Sequence, residues 1–328
     1  MKLLVTGGLG FIGSNFIIKI LSENEGYKII NVDAEFHGSE KRNLSKVTDH
    51  PNYEFIKGNI TNKKLMEELI TKSDAVINFA AESFVDRSIT DPNSFLVSNV
   101  RGTFTILDII SKQKKRMVQI STDEVFGSLE YGSATEDSKL NPSNPYSATK
   151  AAAELLINSY HNTFNSDVVI TRCTNNYGPR QYAEKLIPKT FILAKQDKKI
   201  PIYGTGKNIR DWIFVDDHCD GIFSSLLHGK SGQSYNISGN NELDNIKIVK
   251  TILSLMNKSE DQIQFVEDRP GHDFRYSMNS SKISKELNWK AKTSFEDGLM
   301  KTIQWYNQNE DIWKDTSSEI LNPTPWKK

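Results

Sequence analysis

The chain has 328 residues, of which 37% are hydrophobic and 25% are charged. This is an ordinary soluble composition, with enough apolar material for one large or two modest domains. Forty-one basic residues balance forty-one acidic ones, so bulk charge gives no reason to expect binding to nucleic acid or to a membrane surface. A local basic pocket stays open.

The cysteines and the N-terminus indicate the compartment. Cys173 and Cys219 are too few and too far apart for a disulfide framework or a zinc site, so we expect no metal centre. The N-terminal MKLLVTGG has neither the apolar region nor the cleavage site of a signal peptide. Because no apolar run approaches the ~18 residues of a membrane span, we expect a reduced, cytoplasmic protein.

The first half of the chain alternates short apolar runs with amphipathic ones. FIGSNFIIKILSE, TNKKLMEELITK, DPNSFLVSNVRGTFTILDIISKQ and PYSATKAAAELLINSYHNTF have helical spacing. The runs between them predict strands at 2–6, 28–32, 53–58, 74–81, 117–121 and 167–172. Strand–helix alternation of this kind predicts an α/β fold with a doubly wound parallel (Rossmann) sheet.

The pattern loosens after about residue 175. KLIPKTFILAKQ and SFEDGLMKTIQWYNQ predict helices, DWIFVDD predicts a strand that runs into a helix cap, and QSYNIS, IKIVKTILSLM and IQFV indicate short elements. We expect a Rossmann domain over 1–175 and a smaller C-terminal substrate-binding lobe mainly over 176–328. The chain is expected to cross between the two more than once.

The first predicted strand ends in GGLGFIG. Gly7, Gly10 and Gly13 fit G-x-x-G-x-x-G, and Gly8, Gly10 and Gly13 fit G-x-G-x-x-G, before a helix that starts near Phe11. Such glycines allow a tight turn and close approach to a pyrophosphate at the helix N-terminus. The alternative is an ordinary glycine turn.

The second strand ends in Asp33, at the spacing of an acid that binds the adenosine ribose hydroxyls. Its carboxylate would repel a 2′-phosphate, so we expect NAD rather than NADP. Lys41 and Arg42, a few residues downstream, leave that choice open. Asn59, after the third strand, is a candidate acceptor for the adenine edge.

PYSATK places Tyr146 and Lys150 on one face of a predicted helix that starts at Pro145. A nearby ammonium favours phenolate, so we expect a lowered pKa for Tyr146, which can then take a proton from a substrate hydroxyl. Tyr-x-x-x-Lys occurs three times in the chain, but only this copy lies on a convincing helix. The alternative is an ordinary surface pair.

The strand at 117–121 runs into three polar residues, Thr122, Asp123 and Glu124. A strand end followed by acids is more often a solvated loop than a site. Here, however, the carboxyl ends of parallel strands form the edge of a ligand crevice.

Nine segments carry a resemblance to a known family. They are VTGGLGFIGSN (5–15), FAAESFVDRSI (79–89), ISTDEVFG (120–127), PYSATKA (145–151), RCTNNYGPRQ (172–181), EKLIPK (184–189), PIYGTGKNIRDWIFVDDH (201–218), YNISGNNE (235–242) and DRPGHDFRY (268–276). Together they resemble extended short-chain dehydrogenases/reductases, and within these the nucleotide-sugar 4,6-dehydratases. The resemblance is closest to the branch that acts on dTDP-glucose.

The resemblance implies roles for individual residues. For NAD it implies Gly7, Gly10, Phe11, Ile12, Gly13, Asp33, Asn59, Ile60, Ala80, Ala81, Ser98, Tyr146, Lys150 and Asn176. For the nucleotide-diphosphate sugar it implies Ser83, Asp86, Thr122, Asn175, Lys185, Leu186, Ile187, Pro188, Pro201, Tyr203, Arg210, Asn245, Arg269 and His272. Two phosphates need charge-assisted donors, and arginine suits them best. The alternative for Arg210 and Arg269 is an ion pair with Asp211 or Asp268.

Four features depart from the family pattern. Phe84 stands where histidine is usual, which removes a polar group near cofactor and sugar. Asn59 stands where aspartate is usual, and its amide oxygen is still expected to accept from adenine. Residues 34–36 differ from the common sequence, and Phe274 replaces a usual arginine, which puts details of the phosphate end in doubt.

The implied reaction is an internal redox elimination. Tyr146 deprotonates the hydroxyl on sugar carbon 4 while hydride passes to NAD, and Thr122 bonds the same oxygen. Glu124 removes the proton on carbon 5, Asp123 protonates the departing hydroxyl of carbon 6, and hydride returns to carbon 6. Asp123 is therefore expected to be the more protonated of the two acids.

Several alternatives stay open at this point. UDP-glucose is an alternative substrate, and a nucleotide-sugar decarboxylase or epimerase is an alternative enzyme on the same scaffold. An NAD-binding regulator without turnover is a third, although Tyr146 and Lys150 argue against it. Family likeness also implies a homodimer built from helices near 93–112 and 146–164.

Overall fold

The computed structural model describes residues 1–327 and contains twelve strands within them. They are β1 (Lys2–Thr6), β2 (Lys28–Asp33), β3 (Tyr53–Lys57), β4 (Ala75–Asn78), β5 (Arg116–Thr122), β6 (Val168–Cys173), β7 (Asn175–Tyr177), β8 (Ile200–Tyr203), β9 (Ile209–Phe214), β10 (Ser234–Ile237), β11 (Glu242–Asp244) and β12 (Ile263–Val266).

The α-helices of this part of the chain are α1 (Phe11–Glu23), α2 (Lys63–Thr71), α3 (Val85–Thr90), α4 (Pro92–Phe95), α5 (Thr103–Gln113), α6 (Pro145–Phe164), α7 (Leu186–Lys195), α8 (Val215–His228), α9 (Asn245–Leu255), α10 (Ser281–Leu287), α11 (Phe295–Gln308) and α12 (Glu310–Trp313). Short 3-10 turns cover Lys41–Leu44, Asp123–Phe126 and Glu260–Gln262, and a π-helical segment covers Leu96–Gly102.

Seven strands form the main sheet, in the order β10-β6-β5-β4-β1-β2-β3. Every pairing in it is parallel. The order reverses between β1 and β4, which creates a crevice at the carboxyl ends of the strands where open α/β sheets bind ligands. The doubly wound Rossmann sheet predicted from the sequence is confirmed.

Apolar side chains cover both faces of this sheet because successive residues of a strand point to opposite sides. In β1, Leu3 and Val5 pack with residues of α1 and α8, including Phe16 and Ile222. Leu4, between them, packs on the other face with residues of α2 and α5. The side chains of Leu3, Leu4 and Val5 are all fully buried. The glycine turn after β1 therefore follows a tightly packed strand.

The second half of the chain builds a smaller region and also returns to the sheet. Strands β11, β9 and β7 form one small sheet, and β12 and β8 form another. Buried residues of α7, α9 and α11 pack against β7 and β9. However, β10 is an edge strand of the main sheet, and α8 packs on that sheet. Residues 215–237 therefore lie with the Rossmann part, so no single cut at 175 separates the two regions.

The run predicted as one helix over 93–112 is interrupted. After α4, residues Leu96–Gly102 form a π-helical segment before α5 begins at Thr103. Such segments are rare and occur frequently at functional sites. Within residues 1–327, no helix combines the length and the apolarity that a membrane crossing requires.

Candidate active site

The carboxyl ends of the central strands open into one cleft, which we call the main cleft. It is bordered by the loop after β1, the loop after β2, the ends of β4, β5 and β6, and the first turns of α6. All fourteen residues predicted for NAD line it: Gly7, Gly10, Phe11, Ile12, Gly13, Asp33, Asn59, Ile60, Ala80, Ala81, Ser98, Tyr146, Lys150 and Asn176. Residues as far apart in the chain as Gly7 and Asn176 are thus brought together.

The glycine turn is crowded by backbone at Gly7 and more open at Gly10. Gly7 has φ +71°, and a Cβ there would lie 2.6 Å from the backbone nitrogen of Ala80. A Cβ on Gly10 would meet only the carbonyl oxygen of Gly7, at 3.3 Å. Helix α1 then begins without a side-chain cap, so its first N–H groups are free to bind an anion. This cradle fits the pyrophosphate of NAD.

The loop around Asp33 explains the preference between the two nicotinamide cofactors. The buried Asp33 carboxylate accepts hydrogen bonds from Leu9 N (3.0 Å), Glu35 N (2.8 Å) and the Ser39 hydroxyl (2.9 Å). Lys41 lies 3.0 Å from a carboxylate oxygen of Glu35. Because its cation is paired with a neighbouring acid, Lys41 is poorly placed to receive a 2′-phosphate, which favours NAD.

The side-chain amide oxygen of Asn59 already has hydrogen-bond partners within the protein. Its Oδ1 accepts from both the backbone N and the hydroxyl of Thr61, each at 2.9 Å. Both lone pairs of that oxygen are therefore used within the protein, and a bond from adenine to it would have to replace one of these two bonds. Only the Nδ2 group of Asn59 is left for adenine, as a donor.

The π-helical segment shapes the wall opposite the glycine turn. Ser98 lines the cleft, while its neighbour Asn99 is buried and holds residue 82 from both sides. Asn99 Oδ1 accepts from Glu82 N at 2.9 Å, and Asn99 Nδ2 donates to Glu82 O at 3.0 Å. The π-helix has an extra residue per turn, so the neighbouring side chains of Ser98 and Asn99 reach different places. Ser98 lines the cleft, and Asn99 binds the backbone of Glu82 after the end of β4.

Asn176 is fixed by a buried histidine that the sequence analysis did not single out. His218 Nδ1 lies 2.8 Å from Asn176 Oδ1, and Asn176 Nδ2 donates to Thr174 O at 2.9 Å. Burial lowers the pKa of His218 to about 3, so its ring is neutral at physiological pH and Nδ1–H acts as the donor. The amide of Asn176 is therefore held by protein groups.

Helix α6 presents Tyr146 and Lys150 to the cleft from a well-defined start. Asn144 caps the helix, with its Oδ1 accepting from Ser147 N at 2.9 Å, and Pro145 occupies the first turn. Both Tyr146 and Lys150 are buried. Lys150 Nζ donates to Ile120 O at 2.6 Å, which ties the lysine to the end of β5.

The expected lowering of the tyrosine pKa is wrong for the protein groups alone. Burial raises the pKa of Tyr146 well above its ordinary value, and the negative charge of Glu124 raises it further. Burial also lowers the pKa of Lys150 to about 8, because an ammonium is poorly solvated there. Desolvation therefore outweighs the attraction between the two groups that the spacing implied.

The two acids at the end of β5 occupy different environments. β5 ends at Thr122, and a 3-10 turn follows over Asp123–Phe126. Thr122 Oγ1 donates to Asp123 Oδ1 at 3.1 Å, while Asp123 Oδ2 is buried without a protein partner. Burial, followed by the charge of Glu124, raises the pKa of Asp123 well above its ordinary value. The half-buried Glu124 accepts from Asn144 Nδ2 at 3.3 Å.

A buried ion pair fixes α6 against the strands that carry these acids. Glu154 and Arg172 pair at 2.8 Å with side chains 1% and 5% exposed. Ser121, at the end of β5, donates to Glu154 Oε1 at 2.5 Å. Because Glu154 lies one turn after Lys150, this pair sets the distance between the helix and the strand end.

A second cavity, which we call the side pocket, adjoins the main cleft and lies between Asp86, β8, β9 and α7. Glu124, Asn175 and Lys185 border both cavities. Ten residues predicted for the substrate line the side pocket: Asp86, Asn175, Lys185, Leu186, Pro201, Tyr203, Arg210, Asn245, Arg269 and His272. Ser83 and Thr122 line the main cleft, but Ile187 and Pro188 line neither cavity.

Cationic side chains concentrate in the side pocket. Arg210 donates to Ile209 O (2.7 Å), Phe274 O (3.2 Å) and Asp273 O (2.8 Å) rather than pairing with Asp211. Arg269 pairs with Asp86 at 3.1 Å rather than with Asp268. His272 is neutral at physiological pH, since burial lowers its pKa to about 4.

The departure at Phe84 is partly offset by a histidine from another loop. The ring of Phe84 meets His37 at 4.8 Å and Tyr182 at 5.6 Å between centroids. His37 also lies 2.7 Å from Glu184 Oε2. Lys185 Nζ sits 4.6 Å above the same phenyl ring. A polar ring therefore remains at the cleft, and the phenyl ring holds a cation there.

The departure at Phe274 falls outside both cavities. Its side chain is 56% exposed and lines neither of them. Its backbone carbonyl accepts a hydrogen bond from Arg210, which does line the side pocket. The substitution therefore leaves the cationic lining unchanged.

Sequence reasoning missed several residues that line the two cavities: His37, Glu82, Gln181, Tyr182, Glu184, Lys189, Trp212 and Tyr276. A signal existed for Lys189, which follows Lys185 by four residues on α7. Tyr276 ends a segment that was already noted. No local signal marks His37 or Tyr182, because loop residues reach a site only through the path of the backbone.

A parallel Rossmann sheet, a pyrophosphate cradle, a ribose acid and a Tyr-x-x-x-Lys helix meet in one cleft. Together they define the class of protein, an extended short-chain dehydrogenase/reductase with NAD as its cofactor. Residues 4–302 match the family model described as GDP-mannose 4,6 dehydratase, and the chain belongs to that family.

Comparison with individual proteins agrees with this membership. The low-salt glycan biosynthesis protein Agl12 of Haloferax volcanii is 46% identical over 93% of this chain and 98% of its own length. The NAD complex of dTDP-glucose 4,6-dehydratase from Bacillus anthracis is 46% identical, with a TM-score of 0.90 over 96% of this chain and 99% of that one. The Streptomyces venezuelae dTDP-glucose 4,6-dehydratase with NAD and dTDP bound is 41% identical, with a TM-score of 0.94 over the same shares. The predicted resemblance to the 4,6-dehydratases is confirmed.

Proposed function

We propose that this enzyme removes water from dTDP-glucose and forms dTDP-4-keto-6-deoxy-glucose. One observation carries the proposal. Asp123 and Glu124 lie side by side in the cleft that holds Tyr146, and burial raises the pKa of Asp123 well above its ordinary value, which favours its protonated form. A dehydratase needs such an acid and such a base on neighbouring carbons, whereas a simple dehydrogenase does not.

The redox half of the reaction is assigned to Tyr146, Thr122 and Lys150. Tyr146 takes the proton of the hydroxyl on sugar carbon 4, and Thr122 turns its hydroxyl proton from Asp123 Oδ1 to the same oxygen. Bound NAD accepts a hydride from carbon 4 and later returns it to carbon 6. Because burial raises the pKa of Tyr146, the phenolate needs a nearby positive charge, which the ammonium of Lys150 supplies in its protonated form.

The elimination half is assigned to the two acids. The ketone at carbon 4 acidifies the proton on carbon 5, and Glu124 removes it; the protonated Glu124 gives a proton back to carbon 5 when hydride returns to carbon 6. The hydroxyl of carbon 6 departs with the proton of Asp123, so water leaves and Asp123 is left ionised. The different environments of the two carboxyl groups support this division, since adjacent acids perform opposite tasks only when their pKa values differ.

The side pocket is assigned to the nucleotide diphosphate. Lys185, Arg210 and Arg269 supply donors for two phosphates, and arginine forks suit phosphate oxygens. Pro201, Tyr203, Asn245 and His272 line the part of the pocket that is left for the nucleoside. In this assignment the region 1–175 holds NAD, and 176–328 mainly holds the sugar nucleotide.

Two other reactions on the same scaffold are less well supported. A nucleotide-sugar epimerase or decarboxylase uses the tyrosine and the NAD cycle but needs no acid for a departing hydroxyl. A buried Asp123 with a raised pKa is costly to maintain and has no task in either reaction. UDP-glucose remains the alternative substrate.

One experiment tests both the reaction and the nucleotide. The purified protein is incubated with dTDP-glucose and, separately, UDP-glucose, each deuterated at carbon 4, and the products are analysed by mass spectrometry and NMR. We expect deuterium at carbon 6 of a 4-keto-6-deoxy product from dTDP-glucose. A product epimerised at carbon 4 without loss of water would contradict the proposal, and preferential turnover of UDP-glucose would correct the nucleotide.

The proposal includes a cytoplasmic homodimer built from α5 and α6. Four large apolar side chains are exposed on these helices and the adjoining π segment: Leu96 (53%), Phe104 (44%), Leu155 (61%) and Phe164 (50%). Neighbouring helices that expose several large apolar side chains are typical of an interface between subunits. A second copy of the same surface would cover them by a twofold packing of four helices.

A further inference from the structure

Residues 320–327, which we call the C-terminal tail, cross the smaller region and end beside the side pocket. Ile320 and Leu321 pack on apolar residues that include Phe191 and Tyr306. Leu321 also packs on Leu193 and Ile202. The tail thus starts from a firm apolar anchor, although it contains no regular secondary structure.

The tail touches two residues that line the side pocket. Lys189 Nζ, on α7, donates to the carbonyl oxygen of Asn322 at 3.3 Å. The indole of Trp326 meets the ring of Tyr203 edge to face, with centroids 4.8 Å apart and an angle of 89°. Both partners line the pocket that is assigned to the nucleotide.

The far end of the tail is held in place beyond Trp326. Lys327 N donates to Thr324 O at 3.0 Å, and Thr324 N donates to Asn322 Oδ1 at 3.0 Å, which fold the end into a turn. Lys327 Nζ also pairs with Glu267, in the loop that leads to Arg269. Because these contacts hold the tail on both sides of Trp326, the position of the indole against the ring of Tyr203 is well defined.

Tyr203 is also connected to the cations of the pocket. Its hydroxyl donates to Asp86 Oδ2 at 3.3 Å, and Asp86 pairs through its other oxygen with Arg269 at 3.1 Å. Any movement of the Tyr203 ring therefore changes both the aromatic wall of the pocket and the carboxylate that orients Arg269.

From these contacts we infer that Trp326 is a positioning residue for the nucleotide of the substrate and acts through Tyr203. The inference rests on the proposed function, because it takes the side pocket to bind a nucleoside diphosphate. The chemical groups of the reaction lie in the main cleft, so Trp326 affects how firmly the substrate is held and leaves the chemical step unchanged.

Steady-state kinetics of the NAD-loaded enzyme with dTDP-glucose test this inference. We expect Trp326→Ala to raise KM about twofold to tenfold, the range of an edge-to-face aromatic pair, with kcat and NAD content unchanged. Trp326→Phe should restore KM, because it keeps an aromatic edge. Phe265→Ala is the control, since Phe265 is 58% exposed on β12, next to β8.

Two results would overturn the inference: a KM for Trp326→Ala equal to that of the control, or a loss of kcat at unchanged KM. Trp326→Leu gives the same test if the alanine variant does not fold. Titration of Trp326→Ala and Trp326→Leu with dTDP alone separates binding of the nucleotide from turnover. Failure of the proposed function is recognised independently, because the wild-type enzyme would then not dehydrate dTDP-glucose.

Discussion

Asp123 and Glu124 are adjacent in the chain, yet their carboxyl groups do not share an environment. Asp123 is 3% exposed, and one of its oxygens has no protein partner, whereas Glu124 accepts a hydrogen bond from Asn144. A 3-10 turn over Asp123–Phe126 begins directly after the strand end at Thr122 and carries both residues. An acid and a base are thus available within one dipeptide.

Asp123→Asn is expected to lower kcat for dehydration by about 10²- to 10⁴-fold, since it removes the proton donor for the departing hydroxyl. Loss of water is followed by NMR of the product. Oxidation at carbon 4 should persist, and is followed by the absorbance of the reduced cofactor. A variant that keeps the full dehydration rate would remove Asp123 from the role of acid.

The same substitution is expected to raise the melting temperature at neutral pH. The pKa of Asp123 is raised in the folded state, so the unfolded chain releases a proton near pH 4 that the folded protein keeps. Stability is therefore lost as pH rises from about 4 through the folded-state pKa, and asparagine avoids this loss. Unfolding curves from pH 4 to 8 measure it, and an unchanged slope would contradict the burial argument.

Glu124→Gln is expected to stop exchange of the proton on carbon 5, because the amide is not a base. Incubation in deuterated water with NMR of recovered sugar nucleotide measures the exchange. Glu130→Gln, an exposed change in the loop that follows, serves as the control. Exchange at the wild-type rate in Glu124→Gln would assign the base to another residue.

Lys150→Met is expected to abolish turnover and yet stabilise the fold at pH 7. The pKa of Lys150 is lowered from 10.5 to about 8, so stability is lost as pH falls from 10.5 to 8 and stays lost below. The difference corresponds to about 3 kcal/mol in the free energy of unfolding. Denaturant unfolding at pH 7 measures this difference, and the exposed Lys64→Met is the control. Equal stability of Lys150→Met and Lys64→Met would argue against a destabilising buried ammonium at Lys150.

Arg172→Met is expected to destabilise the protein by about 3–5 kcal/mol, because Glu154 is left buried and charged. Urea unfolding measures the loss. The double variant Glu154→Leu with Arg172→Met removes both charges and should recover much of the stability. If the single and double variants are equally unstable, packing rather than the unpaired charge is the cause.

Leu155→Asp is expected to convert the proposed homodimer into a monomer, since it places a charge among the apolar residues of α6. Sedimentation velocity measures the mass. Leu255→Asp, on α9, introduces the same charge at a leucine that is 42% exposed outside this surface. A wild-type protein that sediments as a monomer would contradict the proposed interface.

The sequence by itself determined the sheet and the residues that meet at its edge. Strand and helix periods are local, and glycines, Asp33 and the Tyr146–Lys150 spacing each follow a strand or open a helix. Once the strands are parallel, their carboxyl ends lie at the same edge of the sheet. The position of the main cleft therefore follows from the order of the strands alone. The family resemblance added the reaction and the roles of the two acids in it.

Only the tertiary structure decided the protonation and the pairing of these groups. The spacing of Tyr146 and Lys150 predicted a lowered tyrosine pKa, but burial by distant elements raises it. Likewise Asp86, rather than a sequence neighbour, pairs with Arg269, and Trp326 reaches Tyr203 from the far end of the chain. Desolvation and contacts between remote segments depend on how the whole chain packs, and no local pattern of residues records them.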